Sequence, residues 1–325
     1  MSVVTKSVSL PPYVSAICRL VLVPAGLLWV FMHAPEVGLS GKISLNFGWL
    51  LVALILNQAA LFLFSARLRL VLGLWSVHIG RLSSLRIHLQ SMFYFIVVPM
   101  TIGLEIARFM KISSIAPSTS KIALAAALFA DRILGALSAL ALALLCVLLL
   151  NVNAALVVPP HVLWAGLAVA LAFIAIVASW PRSRREIAAI WSLASGRRGK
   201  LLGILALSMF MNIVFALGIQ TASVAVGTPI ALLDTVFAIS GGMLLVAVPL
   251  SLAGIGPAEA GTVALLIILG HDVLSAMTVG ALPYFARLVA AVEGGLWEFV
   301  DGGRTAFVTL LRPGSSKIAV PPTEK

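Results

Sequence analysis

An all-α polytopic membrane domain is the fold class this sequence predicts, and three observations predict it. Hydrophobic residues make up 61% of the chain and charged residues only 10%. Mean hydropathy is +1.13 over 325 residues, far outside the usage of soluble domains. The apolar runs each approach the roughly 20 residues needed to cross a bilayer, and they leave no stretch from which a separate soluble domain would be built. Residues 13–302 are therefore read as one membrane domain, with residues 1–12 and 303–325 as cytoplasmic segments on either side of it.

The formal charge of +11 does not point to nucleic acid. Lysines and arginines cluster in short loops between apolar runs, which is the positive-inside pattern of a multi-pass protein, with attraction to anionic headgroups as a secondary use. Cys18 and Cys146 both fall inside apolar runs, so no disulfide framework or thiolate site is expected. The first apolar run begins near Ala16 and is followed by no A-x-A-like cleavage site, so it is read as a retained helix.

Loop charge then orders the elements. Residues 13–33 and 46–64 are the first two spans. Arg67, Arg69, Arg81 and Arg86 follow without an acidic residue, which puts that loop, and with it the N-terminus, in the cytoplasm. Residues 89–105 are apolar, yet Arg108, Lys111 and Lys121 follow them at once, a second basic patch on what a full crossing would make the wrong side. A re-entrant hairpin that turns near Pro99 and Gly103 keeps both flanks inside, and proline and glycine suit such a turn.

Residues 122–150 cross outward, and residues 162–180 cross back to a loop holding Arg182, Arg184, Arg185, Arg197, Arg198 and Lys200. Residues 201–226 lead outward again. From Ile230 through Pro249, Gly254 and Gly256 to Gly270 no basic residue marks a cytoplasmic exit, so a second hairpin is expected, entering from outside. Residues 273–299 cross inward. The result is an inverted repeat of two spans, a re-entrant hairpin and one span, with halves 13–150 and 161–302, about six full spans in all and both termini cytoplasmic. Such symmetry, with Pro/Gly-interrupted segments at matching places, is how many transporters build a midplane site.

Charged residues at bilayer depth cost roughly 2.5–3.5 kcal/mol on insertion scales, so each asks for a partner or a purpose. Glu105 and Arg108 follow the first turn, Asp131 and Arg132 lie within the next span, Glu259 follows the second turn, and Arg287 and Glu293 occupy the last span. Each hairpin carboxylate is followed one element later by an arginine inside a span, Arg132 or Arg287. Half-helix ends aim N–H dipoles into the membrane, which favours an anion such as phosphate, and guanidinium groups add bidentate contacts. The candidate binding set is Arg132, Arg287, Glu105, Arg108, Glu259 and Asp131, with Pro99, Gly103, Pro249, Ser251, Gly254 and Gly256 shaping the turns.

Other polar residues have plainer readings. Asn57 and Gln58 are expected to make interhelical hydrogen bonds, Ser240 to Gly242 to serve close helix packing, and Asp234 to lie at the interface. Arg19 reads as a snorkelling residue. Gly254-Ile-Gly256 lacks the third glycine of a dinucleotide fingerprint, no phosphate loop or nucleophile elbow is present, and the histidines lack metal-ligand spacing. No catalytic residue, metal or cofactor is assigned.

Three stretches resemble the membrane region of lysylphosphatidylglycerol synthases, a flippase-like family, over most of residues 46–302. They are Val98-Pro99 with Gly103-Leu-Glu105 and Arg108; Asp131-Arg-Ile-Leu-Gly135; and Pro249-Leu-Ser-Leu-Ala-Gly254-Ile-Gly256 with Glu259. The family's first turn usually reads Gly-Gly-Asp with an arginine a few residues on; here it is Gly103-Leu-Glu105 with Arg108 kept. The second commonly reads Gly-Gly-x-Gly-x-Arg-Glu, and this chain has Ala258 in place of that arginine.

The resemblance implies a lipid-handling, non-enzymatic protein of the bacterial inner membrane. It would move an anionic or lipid-linked headgroup, of a phospholipid, a polyprenyl phosphate or a glycolipid, between leaflets. The full synthase also carries a soluble aminoacyl-transfer domain, and with few residues after the last span that activity is expected to be absent here. Two rival readings are a non-catalytic subunit presenting a lipid-linked sugar to a glycosyltransferase or another lipid-synthesis enzyme, and a membrane transferase or phosphatase acting on polyprenyl phosphates.

Overall fold

Helix start and stop signals divide the chain much as its hydropathy does. The computed structural model describes residues 45–97, 102–150, 198–245 and 256–301; the expected spans at 13–33 and 162–180, and Pro99, Pro249, Ser251 and Gly254, lie outside them. Among the described residues there are eight helices and no strand: α1 (Phe47–Leu74), α2 (Arg81–Val97), α3 (Ile102–Ile115), α4 (Lys121–Leu149), α5 (Arg198–Ala225), α6 (Leu232–Leu244), α7 (Pro257–Ile268) and α8 (Val273–Val300).

Helices α1, α4, α5 and α8 have 28 or 29 residues. At 1.5 Å per residue each is about 42 Å long, enough to cross a hydrocarbon core of about 30 Å. The other four, with 17, 14, 13 and 12 residues, are too short for that. They form two adjacent pairs, α2 with α3 and α6 with α7.

Caps set the ends of the long helices. Asn46 accepts hydrogen bonds from the N–H groups of Gly48 and Trp49 at the start of α1, and Asp272 accepts from Ser275 at the start of α8, which satisfies donors the first turn leaves open. Three helices end in the same left-handed hydrogen-bond pattern. Val77 N–H bonds Leu72 and Ser76 bonds Gly73 after α1; Thr228 bonds Ser223 and Gly227 bonds Val224 after α5; His271 bonds Leu266 and Gly270 bonds Ile267 after α7. Gly227 and Gly270 supply the positive φ at no steric cost; after α1 a serine, Ser76, takes it at φ 60°.

The packing joins the two ends of the bundle by different residues. Helices α1 and α5 run antiparallel and make the most extensive contact. Asn46 N–H bonds Ala225 O at one end, and Val71 and Leu74 meet Ile204 and Leu201 at the other. The base of the α2–α3 pair lies at that second end, where Leu72, Val77, Ile112 and Leu124 share one apolar cluster. The base of the α6–α7 pair lies at the first end, where His271 bonds Asp234 at 2.9 Å. Helix α2 packs on α8, and α6 on α4. Outward-facing Phe129, Leu144, Leu148, Val292 and Leu296 stay exposed, an apolar surface suited to lipid.

Two expectations need correction. Arg67 and Arg69 are not in a loop; α1 runs on unbroken past residue 64 to Leu74, and Arg67 is buried. Between Gly48 and Gly73 its leucine-rich sequence has no helix breaker, and Arg67 finds an ion partner inside the bundle. Gly103 is not at the turn either, but buried in the first turn of α3.

Helices α2 and α8 meet backbone to backbone at Gly294, where a Cβ would lie 1.9 Å from Leu89 O. Below that contact the end of α8 is clamped by charge. Glu298 accepts from Tyr94 Oη at 2.9 Å and Lys111 Nζ at 2.7 Å; Asp301 accepts from Arg86 Nε at 2.8 Å and Gln90 Nε2 at 2.6 Å. Gly294→Ala must push two backbones apart, so it should destabilise the protein by about 1–3 kcal/mol, read as a lower unfolding midpoint in detergent. Gly73→Ala, where nothing lies within 4 Å, should leave that midpoint unchanged or raised.

Candidate functional site

A carboxylate in the first turn of α3 and another in the first turn of α7 organise the site. Glu105 lies one turn into α3 and pairs with Arg132 of α4, whose Nε donates to Oε1 at 2.6 Å. Glu259 lies one turn into α7 and pairs with Arg287 of α8. The partners are separated by 27 and 28 residues, so the arrangement repeats almost residue for residue. Arg287 sits at the middle of α8, and its guanidinium also lies 5.8 Å from the ring of Phe95, in the last turn of α2. Residues flanking both interhelical turns thus reach the midpoint of one long helix.

Glu259 has a second task. Its Oε2 accepts the N–H of Gly256 at 2.7 Å, capping α7 from within, with Pro257 at the start of the helix where its missing N–H does no harm. Pro283 lies one turn before Arg287 and removes one rung of the α8 ladder there.

The first half carries more charge than the pair alone. Asp131 precedes Arg132 but points into the bundle, where its Oδ2 accepts from Arg67 Nη2 at 2.9 Å and faces Arg108 Nη1 at 3.6 Å. Arg108 also donates to Glu105 Oε1 at 3.4 Å and through Nη2 to His88 Nδ1 at 2.8 Å. A guanidinium has only donors, so His88 Nδ1 accepts and the imidazole is neutral. The ring stacks on Phe64 at 5.8 Å. Arg67, Arg108, His88 and Asp131 are each no more than 6% exposed.

Gly135, one turn beyond Arg132, makes room for this set, because a Cβ there would come 2.9 Å from Arg67 Nη1. The network is not saturated. Arg67 Nε, His88 Nε2, Glu105 Oε2, Arg108 Nε and Asp131 Oδ1 are buried and have no hydrogen-bond partner among the described residues, an unusual concentration in one place.

Matching positions in the second half are small and neutral. Three residues after Glu259 stands Thr262 where Arg108 follows Glu105; before Arg287 stands Ala286 where Asp131 precedes Arg132; three residues after Arg287 stands Ala290 where Gly135 follows Arg132. Thr262 bonds Ala258 O at 2.9 Å and packs against Gly242, where a Cβ would meet its Oγ1 at 2.4 Å. The expected close packing at Gly242 is therefore seen. Asn57 reaches Ala286 O at 3.5 Å and Asn212 reaches Ser138 Oγ at 3.1 Å, so each antiparallel core helix sends one asparagine to a neighbouring long helix.

Of the residues picked from sequence, Glu105, Arg108, Asp131 and Arg132 come together in one network, and Glu259 joins Arg287 in the second pair. Gly103 and Gly256 lie in and before the first turns that carry the carboxylates. Glu293 bonds Gln58 instead, and Asp234 bonds His271. Arg67 and His88 lie outside the sequence-derived set: Arg67 reads as loop charge, and His88 reads as one of the histidines without metal-ligand spacing, just before the apolar stretch at 89–105.

The sequence model of the family described as Lysylphosphatidylglycerol synthase TM region matches residues 16–290. The chain belongs to this family. No curated protein and no solved structure matches it. Together with four long apolar helices, membership makes this a multi-pass membrane protein, and the resemblance carried by the two turns and the Asp131-Arg132 pair is met.

Removing one partner of a buried ion pair leaves the other uncompensated, at about 3–5 kcal/mol. Asp131→Asn should therefore lower the unfolding midpoint strongly, and Arg67→Met combined with Asp131→Leu should recover much of the loss. Equal midpoints for the single and double variants would contradict the buried pairing.

Proposed function

We propose that the protein moves the charged headgroup of a membrane lipid between the leaflets of the bacterial inner membrane. The observation that carries this reading is the repeated carboxylate–arginine pair, held in each half between the first turn of a short helix and the interior of a long one. A phospholipid or a polyprenyl-phosphate-linked lipid is the cargo. Its chains stay in the bilayer, while arginines and helix starts stand in for water around the headgroup and lower the barrier to its passage. No residue is assigned a catalytic role.

In this reading the two short-helix pairs are re-entrant hairpins in an inverted repeat. Support comes from the antiparallel run of α1 and α5 and from the matched contacts of α2 with α8 and α4 with α6. Arg69, Arg81, Arg86, Lys111, Lys121, Arg198 and Lys200 gather toward one end of the bundle and Asp234 and Asp272 at the other, which favours the basic end as cytoplasmic. The Glu–Arg pairs are gates, one per half. Opening one while the other stays closed exposes the site to a single leaflet.

Single cysteines at Lys111 and Asp272 should react with impermeant reagents from opposite sides of the membrane; reaction from one side contradicts the inverted repeat. In liposomes the purified protein should translocate acyl-labelled phospholipid. Arg132→Ala with Arg287→Ala should slow it by about tenfold or more, a barrier increase of roughly 1.4 kcal/mol. Folded double variant working at the wild-type rate contradicts the proposed path.

A further inference from the structure

Charge is not balanced between the two halves. Glu259 and Arg287 cancel. In the first half three arginines, Arg67, Arg108 and Arg132, face two carboxylates, Glu105 and Asp131, with His88 neutral. One positive charge is left over. Among the described residues, none in contact with the set removes it. Residues 98–101 and 246–255 contain no ionisable side chain. Lys111 with Glu298 and Arg86 with Asp301 are closed pairs at the end of α8, and Glu293 bonds the neutral amide of Gln58 on α1 rather than an arginine of this set.

A lone cation in a low-dielectric interior is costly, and it sits beside unused donors, Arg67 Nε and Arg108 Nε, both buried. The cluster is also reachable, since the Arg132 side chain is 44% exposed and that of Glu105 27%. One bound negative charge neutralises the set. A second overshoots and leaves an uncompensated anion, while a zwitterion leaves the original charge in place.

We infer that the first-half cluster binds a lipid phosphodiester of net charge −1, at Arg108 and Arg132, and selects against both zwitterionic headgroups and phosphate monoesters. A diester keeps a single ionised oxygen at neutral pH, whereas a monoester carries about −1.5 to −2. The chemistry is shared by polyol phospholipids and by lipid-linked sugar phosphodiesters. This inference rests on the lipid-translocating reading for its biological setting and makes the headgroup class specific.

The test measures binding first, by native mass spectrometry of the purified full chain with four lipids: phosphatidylglycerol, a polyprenyl phosphohexose, phosphatidylcholine and phosphatidic acid. At least one of the two phosphodiesters of charge −1 should bind about tenfold or more tightly than both phosphatidylcholine and phosphatidic acid, and the tighter of the two names the source. Arg132→Gln, which neutralises the cluster at an exposed position, should lose the discrimination against phosphatidylcholine; Arg132→Lys should keep it. Phosphatidylcholine or phosphatidic acid binding as tightly as both diesters, or discrimination that survives Arg132→Gln, overturns the inference.

The same lipids in liposomes separate the two ideas. Charge-ordered binding with no lipid translocated overturns the translocation reading and leaves the charge assignment standing. Translocation without charge order overturns the charge assignment alone.

Discussion

Placing a guanidinium within a long apolar helix is the constraint on which this structure turns. Each such group costs several kcal/mol unless a carboxylate meets it, and both halves meet it the same way, with a glutamate one turn into a short helix reaching an arginine in the interior of a long one. This fixes more than a pair of side chains. A glutamate in the first turn of α3 or α7 is also near the positive end of that helix, so the carboxylate stabilises the helix start while it holds the arginine. Glu259 does both through different oxygens. The short helices must then begin near the middle of the bundle, which is why they stop short of spanning it.

Around that repeated element the halves diverge. The second half fills the space with small residues, Thr262, Gly242, Ala286 and Ala290, and closes by contact. The first half keeps the space open for Arg67, Arg108, Asp131 and His88, with Gly135 as the clearance that allows it. The end of α8 adds a further asymmetry, since Glu298 and Asp301 tie it to α2 and α3, while α4 meets α6 in an apolar cluster with Leu142, Cys146 and Phe237. Around the same carboxylate–arginine contact, one half thus gathers charge and the other packs small, neutral residues.

Much of this was legible in the sequence. Loop charge and hydropathy located all four long helices to within a few residues except at the end of α1. The recurrence of a hairpin carboxylate followed one element later by an arginine singles out Glu105, Arg132, Glu259 and Arg287 as candidates, while the direct pairing of each carboxylate with its arginine is visible only in the structure. Arg67 was illegible because loop charge and buried charge look the same in a one-dimensional reading; only the absence of a breaker between Gly48 and Gly73 distinguishes them. His88 was hidden because its partner, Arg108, lies on the facing arm of the same short-helix pair. The expectation that Gly103 makes the turn placed glycine by its flexibility, whereas the residue lies in the helix and is buried there. The expected spans at 13–33 and 162–180, and four of the turn residues, fall outside the described residues.

The central claim is that residues near the middle of the bundle face a polar, water-reachable space although they lie at bilayer depth. A nitroxide at Phe95, which lies over Arg287, tests it against one at the outward-facing Val292 in the reconstituted protein. A water-soluble paramagnetic agent should relax the Phe95 label while oxygen dissolved in lipid dominates at Val292. Equal, lipid-like accessibility at both positions would contradict it.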